Sequence, residues 1–120
     1  FAVFRTMKRA GVPIAVHSDA GCSNVKFEGF PLSVAAVAVL LEMTPMQALS
    51  TATHRNAMAL GIDDQVGSIQ VGKAADIMIV DGNPLENLLD LRRARKVIRN
   101  GVVVAENKSI IQPLTSIPEH

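Results

Sequence analysis

The chain has 120 residues, 48% hydrophobic and 19% charged, a composition that suits one core-forming globular unit and excludes a disordered one. Only 3% are aromatic, and 12 basic against 11 acidic residues leave a net charge of +1, which argues against base stacking and against a global pull towards nucleic acid or an acidic membrane. The single cysteine, Cys22, excludes an internal disulfide framework and fits a reducing, cytoplasmic setting, and the longest apolar stretch, 34–41, is far short of the ~20 residues that span a bilayer.

Residues 1–11 read as the end of an amphipathic helix. Phe4, Met7 and Ala10 recur at helical spacing, basic residues lie between them, and Gly11 suits the position just past the end. Residues 12–16 (Val-Pro-Ile-Ala-Val) are continuously apolar and predict a strand buried on both faces, as in a parallel sheet. A loop is expected over 20–30, then a heavily buried helix over 31–43. Thr44-Pro45-Met46-Gln47 carries the signature of a capping box, opening a helix that runs to about Leu60 and stops at Gly61. After Gly61 the texture changes. Short strands are predicted over 66–71, 76–80, 96–99 and 102–105, with Asn100-Gly101 as a two-residue hairpin turn. Residues 81–84 read as a turn, 85–94 as a short helix or helical turn, and the polar end from Glu106 as extended.

The two halves differ in kind: an α/β segment, then a small antiparallel β unit. A parallel strand over 12–16 needs parallel neighbours, and this sequence offers none. Unpaired backbone groups in a buried strand cost about 2–7 kcal/mol each by transfer estimates. The chain opens on Phe1 and no basic, signal-like segment precedes an apolar run. It is therefore read as a piece of something longer, whose partners come from other residues or from a second copy.

Asp19 is the leading candidate for chemistry. A carboxylate at the C-terminal end of a buried parallel strand, before a Gly-containing loop, is where barrel enzymes place catalytic groups. A cap of a loop or helix is the competing reading. His17 lies two residues earlier, on the same face of an extended strand. It could join Asp19 at a metal, or be a hydrogen-bonded interior histidine; two ligands are too few for zinc. Gly67 to Ala74 nearly spells a phosphate-binding loop, but Ala74 stands where Ser or Thr belongs and no helix follows, so turns are the reading taken. Arg92, Arg93, Arg95, Lys96 and Arg99 form the basic cluster, read as a solvated face. Asn56 and Arg55 are expected to anchor a neighbouring loop, Cys22 to be an ordinary thiol, and Asp63, Asp64 and Asp81 to be turn acids.

In this order the motifs are specific. Gly11-Val12-Pro13-Ile14-Ala15-Val16-His17-Ser18-Asp19-Ala20-Gly21 resembles the last barrel strand of the amidohydrolase superfamily. Thr44-Pro45-Met46-Gln47-Ala48-Leu49, with Ala52-Thr53, Asn56-Ala57 and Ala59-Leu60-Gly61, resembles the helix that follows it. Val66-Gly67-Ser68-Ile69 and the run from Val71 to Pro84 resemble the return to that family's β-sandwich, and Val97 to Val103 its closing hairpin. The resemblance covers roughly 11–105, and points to the branch that holds imidazolonepropionase and the prolidase-like metallopeptidases.

The resemblance implies residues 1–61 as the end of a (β/α)8 barrel, 62–106 as part of a β-sandwich, and 107–120 as an extended tail. It implies a divalent metal, most of all zinc, with Asp19 as both metal ligand and proton carrier, and His17 and Ser18 lining the site. The family's other ligands would lie before residue 1. Histidine stands at 17 where the family often has a small residue, and Ser18 replaces threonine. The reaction implied is hydrolysis of a C–N bond in a small amide, cyclic amide or dipeptide-like substrate, with no nucleic-acid or membrane partner. The competing reading is a catalytically incomplete fragment or relic that folds by self-association. A basic-patch binding module at 92–99 comes last.

Overall fold

The computed structural model describes residues 1–21, 26–107 and 109–111. Four helices, α1 (Ala2–Arg9), α2 (Phe30–Leu40), α3 (Pro45–Ala52) and α4 (His54–Leu60), precede a four-stranded sheet of β1 (Ile77–Val80), β2 (Ala94–Arg99), β3 (Val102–Glu106) and β4 (Ser109–Ile110).

The helical half is organised around α2. Its side chains Val34 and Ala38 form a core with Ala48 of α3, and Val16, Phe30, Val37, Ala52, Leu88 and Leu91 pack against it. The C-terminus of α2 ends in a Schellman motif, in which the Met43 N–H donates to Ala38 O at 2.8 Å and the Glu42 N–H to Val39 O at 3.4 Å. The left-handed residue of this motif is Glu42, at φ 53°, a position usually given to glycine. The basic face of α1 supports it. Arg5 Nε donates to Leu40 O at 2.7 Å, Lys8 Nζ donates to Leu41 O at 2.9 Å, and Arg5 and Arg9 lie 3.3 and 3.7 Å from the Glu42 carboxylate. Three cations thus meet the negative end of the helix and its unpaired carbonyls.

Helix α2 is apolar all round, yet Leu32 and Val39 are 59% and 76% exposed. The burial expected of it is met on one face only. The capping box at α3 forms as read: Thr44 Oγ1 accepts from Gln47 N, and Gln47 Oε1 accepts from Thr44 N. The single helix expected to Leu60 is instead two, broken at Thr53 with φ −124° and ψ −97°.

Strand order is β1-β2-β3-β4, all antiparallel. Asn100 and Gly101, at φ 47° and 80°, turn β2 into β3, as the hairpin signal requires. Lys96 and Glu106 pair across these strands at 3.1 Å. A 3-10 helix, Leu88–Arg92, occupies the helical turn expected over 85–94 and packs Leu88 and Leu91 onto the α2 core. The expected strand over 66–71 does not form. Gly67 and Gly72 hold φ of 89° and 90°, and the segment turns across α4, closed by Ala74 N donating to Gln65 O at 2.9 Å.

Candidate functional site

Residues 12–18 form neither helix nor strand and join no sheet. The parallel neighbours that a strand here would need are not supplied by the described residues. One residue of the segment is nonetheless fully satisfied. The Val16 N–H donates to Thr51 O at 3.1 Å, and its carbonyl accepts from Asn56 Nδ2 at 2.6 Å. Helix ends take the place of strands. Thr51 is completely buried in the last turn of α3, beside the break at Thr53, and its carbonyl receives Val16. Asn56, in the first turn of α4, reaches the other side of the same residue. The expectation that Asn56 anchors a neighbouring chain segment is met here.

Past Val16 the chain turns sharply. Ser18 Oγ accepts from Ala20 N at 3.2 Å, closing a side-chain-mediated turn. At its centre Asp19 adopts φ 51°, followed by Gly21 at 94°. The left-handed region is unfavourable for residues with a Cβ, and Asp tolerates it better than most. Strain of this kind at the end of such a segment is a reason to suspect function. The Asp19 side chain is exposed and Ser18 is half-buried. His17 is also exposed, which corrects its reading as an interior histidine. Cys22 lies outside the described residues.

A catalytic zinc takes three protein ligands and leaves a position open. Among the described residues no group of three or more His, Cys, Asp or Glu side chains converges. Asp19 offers carboxylate oxygens of the right chemistry, but the described residues do not by themselves close a metal centre. No helix among them is long and apolar enough to cross a membrane.

The remaining sequence candidates are engaged elsewhere. Lys73 Nζ donates to Asp63 O and, at 2.7 Å, to Ser68 Oγ, so its ammonium ties down the glycine-containing turns rather than facing a phosphate. In the basic cluster, Arg93 lies 3.6 Å from Asp90, Arg95 lies 4.0 Å from Asp81, and Lys96 pairs with Glu106. A cleft of about 700 Å³ is lined by Asn56, Ala57, Gly67, Lys73, Met78 and Leu91 among others, and neither His17 nor Asp19 reaches it. Sequence reasoning missed Thr51, and no residue-type signal could have revealed it, because it acts through a backbone carbonyl exposed by a helix break.

Comparison with known proteins places this geometry. The model of the amidohydrolase family matches residues 1–104. An imidazolonepropionase from Shouchella clausii is 29% identical over 111 residues, 90% of this chain and 25% of the relative. The crystal structure of a Xaa-Pro dipeptidase with methionine bound in its active site superposes with a TM-score of 0.76 at 36% identity, covering 88% of this chain and 25% of that one. A molinate hydrolase does so with a TM-score of 0.72 at 28% identity, over 97% of this chain and 28% of the other. The chain spans about a quarter of the length of the curated relatives it matches. It belongs to the amidohydrolase family.

Proposed function

We propose that this member of the amidohydrolase family is the C-terminal part of a cytoplasmic, metal-dependent hydrolase that cleaves a C–N bond in a small amide, cyclic amide or dipeptide-like substrate. Residues 1–61 complete a (β/α)8 barrel and 62–106 contribute to a β-sandwich. The observation that carries this reading is Asp19, exposed at φ 51° where a segment pinned by Thr51 and Asn56 ends. That is the kind of position where barrel enzymes present their catalytic groups. The names of the imidazolonepropionase and dipeptidase relatives support the choice of bond.

Asp19 is one donor of a divalent metal site, zinc by preference, which residues beyond this chain complete. A metal ion there activates water and polarises a carbonyl. The chain's own contribution is a carboxylate that holds a proton, on a turn closed by the Ser18 hydroxyl and the Ala20 N–H. His17 and Ser18 flank it. In the complete enzyme, Asp19→Asn keeps the shape of the side chain and removes its basicity, so hydrolysis falls at least about 100-fold, the low end of general-base contributions. Undiminished turnover in that variant refutes the assignment.

A second reading, an incomplete chain that self-associates, has its own support. Phe1, Val3 and Phe4 of the N-terminal helix are 69%, 70% and 53% exposed, and Leu32 and Val39 face outward from α2. It requires oligomers of the 120-residue chain at micromolar concentration. A monomer by light scattering rules it out.

A further inference from the structure

We propose that Asn56 is the positioning residue of the Asp19 turn, an inference that rests on the reading of Asp19 as the site carboxylate. The two hydrogen bonds to Val16 constrain different peptide units. Peptide units are planar, so a hydrogen bond to an N–H orients the unit before a residue, and one to a carbonyl orients the unit after it. Thr51 O holds the Val16 N–H at 3.1 Å and so fixes the unit entering Val16. Asn56 Nδ2 holds the Val16 carbonyl at 2.6 Å and fixes the unit leaving it, which feeds His17, Ser18 and Asp19.

Beyond that point the described support is local. Ser18 Oγ holds Ala20 N, which shapes the turn but does not aim it. Val16 itself packs against the α2–α3 core, so the anchor does not drift. Asn56 lies 40 residues from Val16 in sequence, in the first turn of a helix that starts only because the chain breaks at Thr53. The helix break and the Asn56 side chain thus act together. One presents the Thr51 carbonyl, the other supplies the donor that sets where the carboxylate turn points.

The test uses the isotopically labelled 120-residue chain and its Asn56→Asp variant at neutral pH. The variant is nearly isosteric, but sets a carboxylate against the Val16 carbonyl and donates nothing. The intraresidue amide-to-Hα nuclear Overhauser effect of Asp19, strong for a left-handed residue, weakens in the variant. The Val16 amide, held by Thr51 O and not by Asn56, keeps its protection. Ala48 and Ile98 amides keep their protection. An unchanged Asp19 signal in a folded variant overturns the proposal. Should the variant not fold, the unsubstituted chain decides. An Asn56 side-chain amide protected from exchange and close to Val16 supports the proposal. Exchange as fast as that of the exposed Asn87 amide overturns it. These readouts are conformational, so they stand or fall separately from the hydrolysis test of Asp19→Asn.

Discussion

Gly67→Ala tests how the turning segment after α4 is seated on the helix that carries Asn56. Gly67 holds φ +89°, and a Cβ built there meets the Ala57 Cβ at 2.6 Å, His54 Cα at 3.1 Å and Thr53 O at 3.3 Å. The first contact is too short to exist. Ala57 is 4% exposed and has no side-chain torsion with which to retreat, so the backbone must move. Two costs add. A left-handed conformation with a Cβ costs roughly 1–2 kcal/mol. Overpacking a filled site costs about 1–3 kcal/mol more. Gly72→Ala is the control, since Gly72 has nearly the same φ, +90°, with nothing within 4 Å of its virtual Cβ. It keeps the conformational cost and the unfolded-state entropy change, and lacks the clash. Urea unfolding followed by far-UV circular dichroism therefore shows Gly67→Ala less stable than Gly72→Ala by about 1–3 kcal/mol, with m unchanged. Equal losses in the two variants would refute the claim that the turn is pressed onto α4.

Three further substitutions probe the elements beneath the site. Thr44→Ala removes the hydroxyl half of the capping box and costs about 1 kcal/mol in the same assay, with Gln47→Ala giving less than the sum when the two are combined. Val34→Ala opens a void in the α2–α3 core, where Val34 is 1% exposed, and costs about 2 kcal/mol. A loss below about 0.5 kcal/mol, the range of ordinary surface changes, contradicts the placement of Val34 at the centre of that core.

What the sequence made legible had short-range causes. Thr44 to Gln47 and Asn100-Gly101 carry their geometry in four residues and two, so capping box and hairpin were readable in place. Gly11 marked the end of α1 for the same reason. The buried strand expected over 12–16 does not form: the segment pairs with no strand among the described residues, and Val12, Pro13 and Ala15 are exposed. Apolar β-branched residues report burial preference, while pairing depends on partners that no local pattern encodes. The segment 66–71 shows a related limit. Its Val and Ile suggested a strand, but Gly67 and Gly72 adopt positive φ and turn the chain over α4. The end of α2 was hidden because Glu42 takes the place glycine usually fills, held by Arg5, Lys8 and Arg9 from a distant helix.

At the candidate site, Asp19 was identifiable from its place after an apolar run and before a glycine. Its left-handed backbone was not, since nothing in Ser18-Asp19-Ala20 demands it. The role of Asn56 was partly visible as an amide in a helix with no obvious local use. The acceptor at Thr51 was invisible, because the break at Thr53 has no glycine or proline to announce it.

The central claim is that this chain brings one carboxylate to a metal site that other residues complete. A native mass spectrum of the purified 120-residue chain, recorded with added zinc, tests it most directly. The account predicts a chain, alone or in multimers, that carries no tightly held zinc and gives the same spectrum when Asp19 is replaced by Asn. A zinc-bearing assembly that loses its metal on Asp19→Asn contradicts it, because copies of this chain would then build the site on their own.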